Sequence, residues 1–170
     1  TTPEGVIGYT YDGFGQLTRM NTSTGQDISY TYDVIGNLKT VRSASLAASA
    51  GSTVTYLYDN ATGRKTGIDY SNGTKVRYTY DEAGNVETIL HEEADDDGLL
   101  ELTYTRDDRG LIIGLEEKRN NGADVVDWTY EYDGAKRLTD ATRVVNGGAP
   151  EGYYYDYDNA GNRVRKIEGG

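Results

Sequence analysis

Cysteine is absent from the 170 residues, so neither a disulfide nor a thiolate metal site can hold this chain together. Proline occurs twice, and tryptophan, phenylalanine, histidine and methionine once each. The single histidine, His91, stands beside Glu92 and Glu93 without a second imidazole or a nucleophile in reach of the sequence, and reads as a surface residue rather than a base. No apolar run reaches the 18 residues of a membrane-spanning helix, and no segment sustains a 3.6-residue apolar period. Seventeen Lys and Arg against 28 Asp and Glu leave a net charge of −11. The cations are scattered, whereas a phosphate-tracking surface needs a basic stripe, so nucleic acid is excluded as a partner. There is no serine in a nucleophile elbow and no glycine-rich phosphate loop, and no cofactor is implied.

What the chain has is tyrosine, 16 residues of it, with 22 glycines and a hydrophobic content of only 36%. Tyrosine must therefore supply most of the burial, and its ring suits a face that is stacked without being fully dry. Seven times the same phrase returns: tyrosine, usually a second tyrosine two residues on, an aspartate, and then a glycine. It starts at Tyr9, Tyr30, Tyr56, Tyr78, Tyr104, Tyr130 and Tyr155. A period in the twenties marks an array of like supersecondary units, stabilised by neighbour pairing, rather than a domain with one unique active site.

Each unit reads as two strands and two turns. The residue two before each first tyrosine is Ile7, Ile28, Val54, Val76, Leu102, Trp128 or Tyr153. With the tyrosines these make an apolar line on one strand face, and Thr10, Thr31 and Thr79 fall on the other. The following strand is apolar at intervals, with Leu17, Leu38, Val86, Ile112 and Leu138 each five residues after the aspartate. Between phrases lie further turn signals, among them Asn72-Gly73, Asn121-Gly122 and Asn146-Gly147, which predict type I′ hairpin turns. The run from Ser43 to Ser52 reads as a long loop.

The recurring aspartate invites a catalytic reading, but aspartate first and glycine fourth is what a tight turn asks for: the carboxylate accepts backbone N–H groups and glycine takes the left-handed place. Asp12, Asp33, Asp81, Asp107 and Asp158 have glycine three residues on; Asp59 has it four on, at Gly63, and Lys136 occupies the place after Asp133. Asp95 and Asp97 stand in Asp95-Asp96-Asp97-Gly98 with Glu93 and Glu101 nearby, a partial match to a calcium loop. The aspartates are adjacent and the distal glutamate comes too soon, so an acidic hairpin turn is the reading and a weak calcium site its alternative. Trp128 takes a slot filled by valine or isoleucine elsewhere, which points to core filling before sugar stacking.

The phrase Tyr-x-Tyr-Asp-x-x-Gly-Asn-Leu, clearest at Tyr30 to Leu38 and nearly so at Tyr78 to Val86, resembles the YD repeat of bacterial Rhs proteins, of insecticidal toxin complex C components and of teneurins. The resemblance runs from about Tyr9 to Ile167, with departures at Arg106, before Gly63, and at Ala135-Lys136. It implies an all-β fold of tandem antiparallel hairpins in one twisted, spiralling sheet. It further implies a secreted or extracellular shell that, in bacterial members, encloses a toxin domain. Residues 1–170 then form one array of about seven repeats, a piece of a longer shell, with no match to the self-cleaving core segment or the toxin that follow the repeats in bacterial members. The expected role is structural and non-catalytic, with the rest of the parent shell and an enclosed toxin or effector as partners and self-association through edge strands open to it. An extracellular adhesion or carbohydrate-binding array is the alternative, and an enzyme is disfavoured because no unique convergent polar set is visible.

Overall fold

In the computed structural model, which describes residues 5–45, 52–95 and 98–169, there is no helix among the described residues. Among the described residues fourteen strands follow one another: β1 (Ile7–Tyr11), β2 (Leu17–Thr22), β3 (Gln26–Tyr32), β4 (Leu38–Ser45), β5 (Ser52–Tyr58), β6 (Lys65–Tyr70) and β7 (Lys75–Tyr80). They continue as β8 (Val86–Glu92), β9 (Gly98–Arg106), β10 (Ile112–Arg119), β11 (Asp124–Tyr132), β12 (Leu138–Val145), β13 (Glu151–Tyr157) and β14 (Arg163–Gly169). Their order in the antiparallel sheet is their order in the chain. The chain divides into two compact units, Thr1–Val76 and Arg77–Gly170. Each is a run of such hairpins.

The alternation that predicted the strands governs which side chains are sheltered. In β11 the residues Val126, Trp128, Tyr130 and Tyr132 are half-buried while Asp127, Thr129 and Glu131 between them are exposed. Among the described residues only two apolar side chains are buried outright, Val76 at 6% exposure and Ala141 at 4%. With so little interior, the strands must be held by what passes between neighbours. The run from Ser43 to Ser52, expected as loop, is strand at both ends because β4 extends to Ser45 and β5 begins at Ser52; residues 46–51 lie outside the described residues.

The pairing has a fixed rhythm in both units. Within hairpins the register shifts at the second tyrosine position: Thr31 faces Thr40 but Tyr32 faces Leu38, and Glu131 faces Asp140 but Tyr132 faces Leu138. One extra residue, Lys39 or Thr139, is thereby bulged from the second strand, and the same shift occurs at Tyr11, Tyr58, Arg106 and Tyr157. A bulge bends its strand and raises the local twist. Between repeats the register is constant, with Arg19 opposite Ser29, Thr40 opposite Thr55, Thr88 opposite Thr103, Gly114 opposite Thr129 and Asp140 opposite Tyr154. In each case the third residue of a repeat's second strand meets the residue just before the first tyrosine of the next.

Candidate functional site: the joint between repeats

That register delivers the second tyrosine of four phrases to one backbone atom of the repeat before it. The hydroxyl of Tyr32 donates to the carbonyl of Leu17 at 2.9 Å, Tyr58 to Leu38 at 3.0 Å, Tyr132 to Ile112 at 2.8 Å and Tyr157 to Leu138 at 2.8 Å. Each acceptor is the first residue of the strand that follows the preceding turn, beside the bulge. All four tyrosines are half-buried. Burial together with the carboxylate of Asp33 raises the pKa of Tyr58, and burial with Asp107 raises that of Tyr132, so both stay protonated and able to donate.

Arg106, the residue that breaks the tyrosine pattern, performs the same task. Its Nη1 donates to the carbonyl of Val86 at 2.6 Å, the position that corresponds to Leu17 and Leu38. It also lies 4.0 Å from Asp81 of the preceding turn and its guanidinium covers the Tyr104 ring at 5.5 Å. A long planar donor with an apolar stem can replace a phenol at this place.

The Asp-Gly turns sit one strand-end away. Asp33 N–H donates to the Asn37 carbonyl and Gly36 N–H to the Asp33 carbonyl, at 2.9 and 3.1 Å. The Asp33 carboxylate accepts the N–H groups of Ile35 and Asn37 and the side-chain amide of Asn37. Asp107, Asp133 and Asp158 accept the same two backbone N–H groups, two and four residues on. Asp59 keeps the arrangement with its extra residue inside the loop, closing Gly63 N–H on its carbonyl at 2.8 Å and accepting from Thr62. These bonds lower the carboxyl pKa: the Asn162 amide on Asp158, the Asn85 amide on Asp81, and the Arg137 backbone N–H followed by its side chain on Asp133. At Asp33 burial pushes upward, and the bonds from Asn37 outweigh it. Lys136 occupies the glycine place after Asp133 and adopts its left-handed backbone, φ 64°.

The turns between repeats are mixed. Asn146 and Gly147 both have positive φ, 49° and 67°, the expected type I′ arrangement. At Asn72-Gly73 only Gly73 is left-handed, φ 94°, because the Asn72 side chain accepts the Thr74 N–H and hydroxyl and holds a right-handed turn instead. Trp128 lies in the row of rings, stacked at 6.1 Å on Tyr130 and 6.0 Å from Tyr153, with Arg143 over it at 5.9 Å. His91, expected at the surface, is half-buried in β8 opposite Leu100. Among the described residues no group of three or more His, Asp or Glu could hold a metal ion; Asp95 is described and Asp97 lies outside the described residues. No helix among the described residues is long and apolar enough to cross a membrane.

Sequence reasoning placed the tyrosines and turns but missed the joint itself and its bulge. The acceptor precedes its donor by 20 residues at Leu38, Val86 and Ile112, by 19 at Leu138 and by 15 at Leu17, but it is a backbone carbonyl, which no residue type marks.

The family model described as teneurin YD-shell matches residues 5–92, just over half of the chain. The chain belongs to the teneurin YD-shell family. The crystal structure of TcdB2-TccC3-Cdc42 is similar to it over 96% of its length with a TM-score of 0.80 and 20% identity. The Tc holotoxin pore of Photorhabdus luminescens gives a TM-score of 0.80 and 20% identity over 95% of the chain. These likenesses show the YD-shell fold, and the chain spans 9% of the length of each of those chains. No curated protein sequence matches.

Proposed function

We propose that this chain is wall material: a non-catalytic stretch of YD shell, secreted or displayed outside the cell, that shelters a toxin or effector domain located elsewhere in a longer protein. The observation that carries this reading is the joint. At Tyr32, Tyr58, Arg106, Tyr132 and Tyr157 the distinctive side chain is used to tie one hairpin to the next. The recurring aspartates are likewise engaged by their own turns. Such a wall resists opening through many weak links in series, each worth about 1 kcal/mol. Trp128 is packed between Tyr130 and Tyr153, which supports ring-row filling over a sugar platform.

The test uses the longer protein. Limited proteolysis should leave the enclosed domain intact while Tyr132→Ala, by opening one joint, exposes it. Equal cleavage of that domain in both proteins would sink the enclosure reading. Tight binding of a defined glycan by the 170-residue chain on an array would favour the adhesion alternative instead.

A further inference from the structure

Asn-Gly occurs three times, at Asn72-Gly73, Asn121-Gly122 and Asn146-Gly147, and each asparagine is exposed in a turn that joins one repeat to the next. Two of them also close the mouth of a hairpin. The Asn146 N–H donates to the Val125 carbonyl at 2.8 Å while its Oδ1 accepts the Val125 N–H at 2.7 Å, and Asn121 does the same with Gly98 at 3.1 and 2.7 Å. Serine fills this place in other hairpins: Ser23 Oγ accepts the Val6 N–H and Ser71 Oγ the Thr53 N–H, both at 3.1 Å. The clasp therefore needs only an oxygen. Asparagine adds an amide carbon, Cγ, that can close a five-membered ring with the backbone nitrogen of the glycine after it.

In that reaction the glycine nitrogen loses its proton to hydroxide and attacks Cγ; the bond from Cγ to Nδ2 then breaks, and ammonia leaves with a proton taken from water. A second water opens either carbonyl of the resulting succinimide, giving aspartate or isoaspartate. Two features of the turn set the rate. A donor on Oδ1 stabilises the negative charge that gathers there, and a glycine N–H already spent on an acceptor must first be released. All three asparagines have the donor, because the Thr74 N–H and hydroxyl bond to Asn72 Oδ1. They differ in the nucleophile. Gly73 N–H donates to the Tyr70 carbonyl at 2.9 Å and Gly122 N–H to the Arg119 carbonyl at 3.0 Å. The Asn146 turn closes one residue later, through Gly148 N–H on the Val145 carbonyl at 2.8 Å, so Gly147 N–H has no acceptor among the described residues. Nothing lies within 4 Å of the place a Cβ on Gly147 would take, so solvent reaches it.

We propose that Asn146-Gly147 is a self-modification site, at which the folded chain converts its own asparagine to aspartate and isoaspartate ahead of Asn121-Gly122 and Asn72-Gly73. Asn121 is the internal control, since it holds the same clasp and differs in the glycine N–H. Aspartate keeps an oxygen for the Val125 N–H. Isoaspartate lengthens the main chain by one carbon inside a two-residue turn and so pulls the clasp between β11 and β12 out of register. The site rests on turn geometry and stands whether or not a wall encloses a cargo.

Peptide mapping by mass spectrometry, after incubation of the folded chain in mildly alkaline buffer, reads the exchange of NH2 for OH at each Asn-Gly separately. Asn146 should convert about fivefold faster than Asn121 or Asn72, the rate factor for one hydrogen bond that must break first. In urea, where the turns are lost, the three rates should come together. Asn146→Ser keeps a clasp oxygen, as at Ser71, and should hold the melting temperature of fresh protein while removing most of the acidic species that ion exchange resolves on storage. Conversion at Asn146 no faster than at Asn121 would overturn the proposal. So would a ranking that survives unchanged in urea, which would assign it to neighbouring sequence, or an acidic species that forms at an undiminished rate in Asn146→Ser.

Discussion

Tyr11 and Tyr132 stand at the same place in the same phrase, and their surroundings differ. Tyr132 is half-buried with its hydroxyl on the Ile112 carbonyl, while Tyr11 is 59% exposed with no acceptor among the described residues. The phrase alone does not make a joint; the preceding hairpin completes it. The energetic meaning of each tyrosine is therefore set by its neighbour, as expected for a chain with two buried apolar side chains among its described residues.

The largest break in that comparison comes from truncation. Tyr132→Ala removes ring and hydroxyl together and should cost about 2–4 kcal/mol in urea unfolding, whereas Tyr11→Ala should cost well under half of that. Next comes the turn that aligns the joint: Gly84, φ 88°, replaced by valine should cost at least about 1–2 kcal/mol, since a β-branched residue is disfavoured in the left-handed region. An unchanged melting temperature there would show that the turn does not need its positive φ. Lys136 sharpens the point in the other direction, because it already bears that strain at φ 64°. Lys136→Gly should stabilise the chain by up to about 1 kcal/mol in the same urea titration.

Acid and alkali probe the turns and the joints with opposite signs. Asp33, Asp59, Asp81, Asp107, Asp133 and Asp158 have pKa values lowered from the ordinary 3.8, so their stabilisation is present above 3.8 and lost as pH falls through the lowered values. Tyr58 and Tyr132 are raised above 10.0, so theirs is present below pH 10 and lost as pH rises through the folded values. Melting temperature against pH should fall at both extremes. In Tyr132→Phe the alkaline fall should be shallower and the acid fall unchanged.

Much of the architecture was legible in the residues. Period-two alternation gave the strands, and the aspartate-to-glycine spacing gave turns that hold even where Lys136 replaces glycine. Asn72-Gly73 misled because a short side chain that can accept backbone bonds allows more than one turn type. The joint was illegible for a different reason: its acceptor is a backbone carbonyl, which any residue supplies, so Leu38, Val86 and Ile112 carry no mark of it. Arg106 looked like a defect because identity, and not reach and donor capacity, was being compared.

The claim that these hydroxyls join the repeats is tested most directly by removing one oxygen at a time. Tyr32→Phe, Tyr58→Phe, Tyr132→Phe and Tyr157→Phe should each lower stability by about 1 kcal/mol, roughly 2–4 °C in melting temperature. Tyr11→Phe should leave it unchanged. A loss at Tyr11 equal to the other four, or no loss at any of them, would contradict the account.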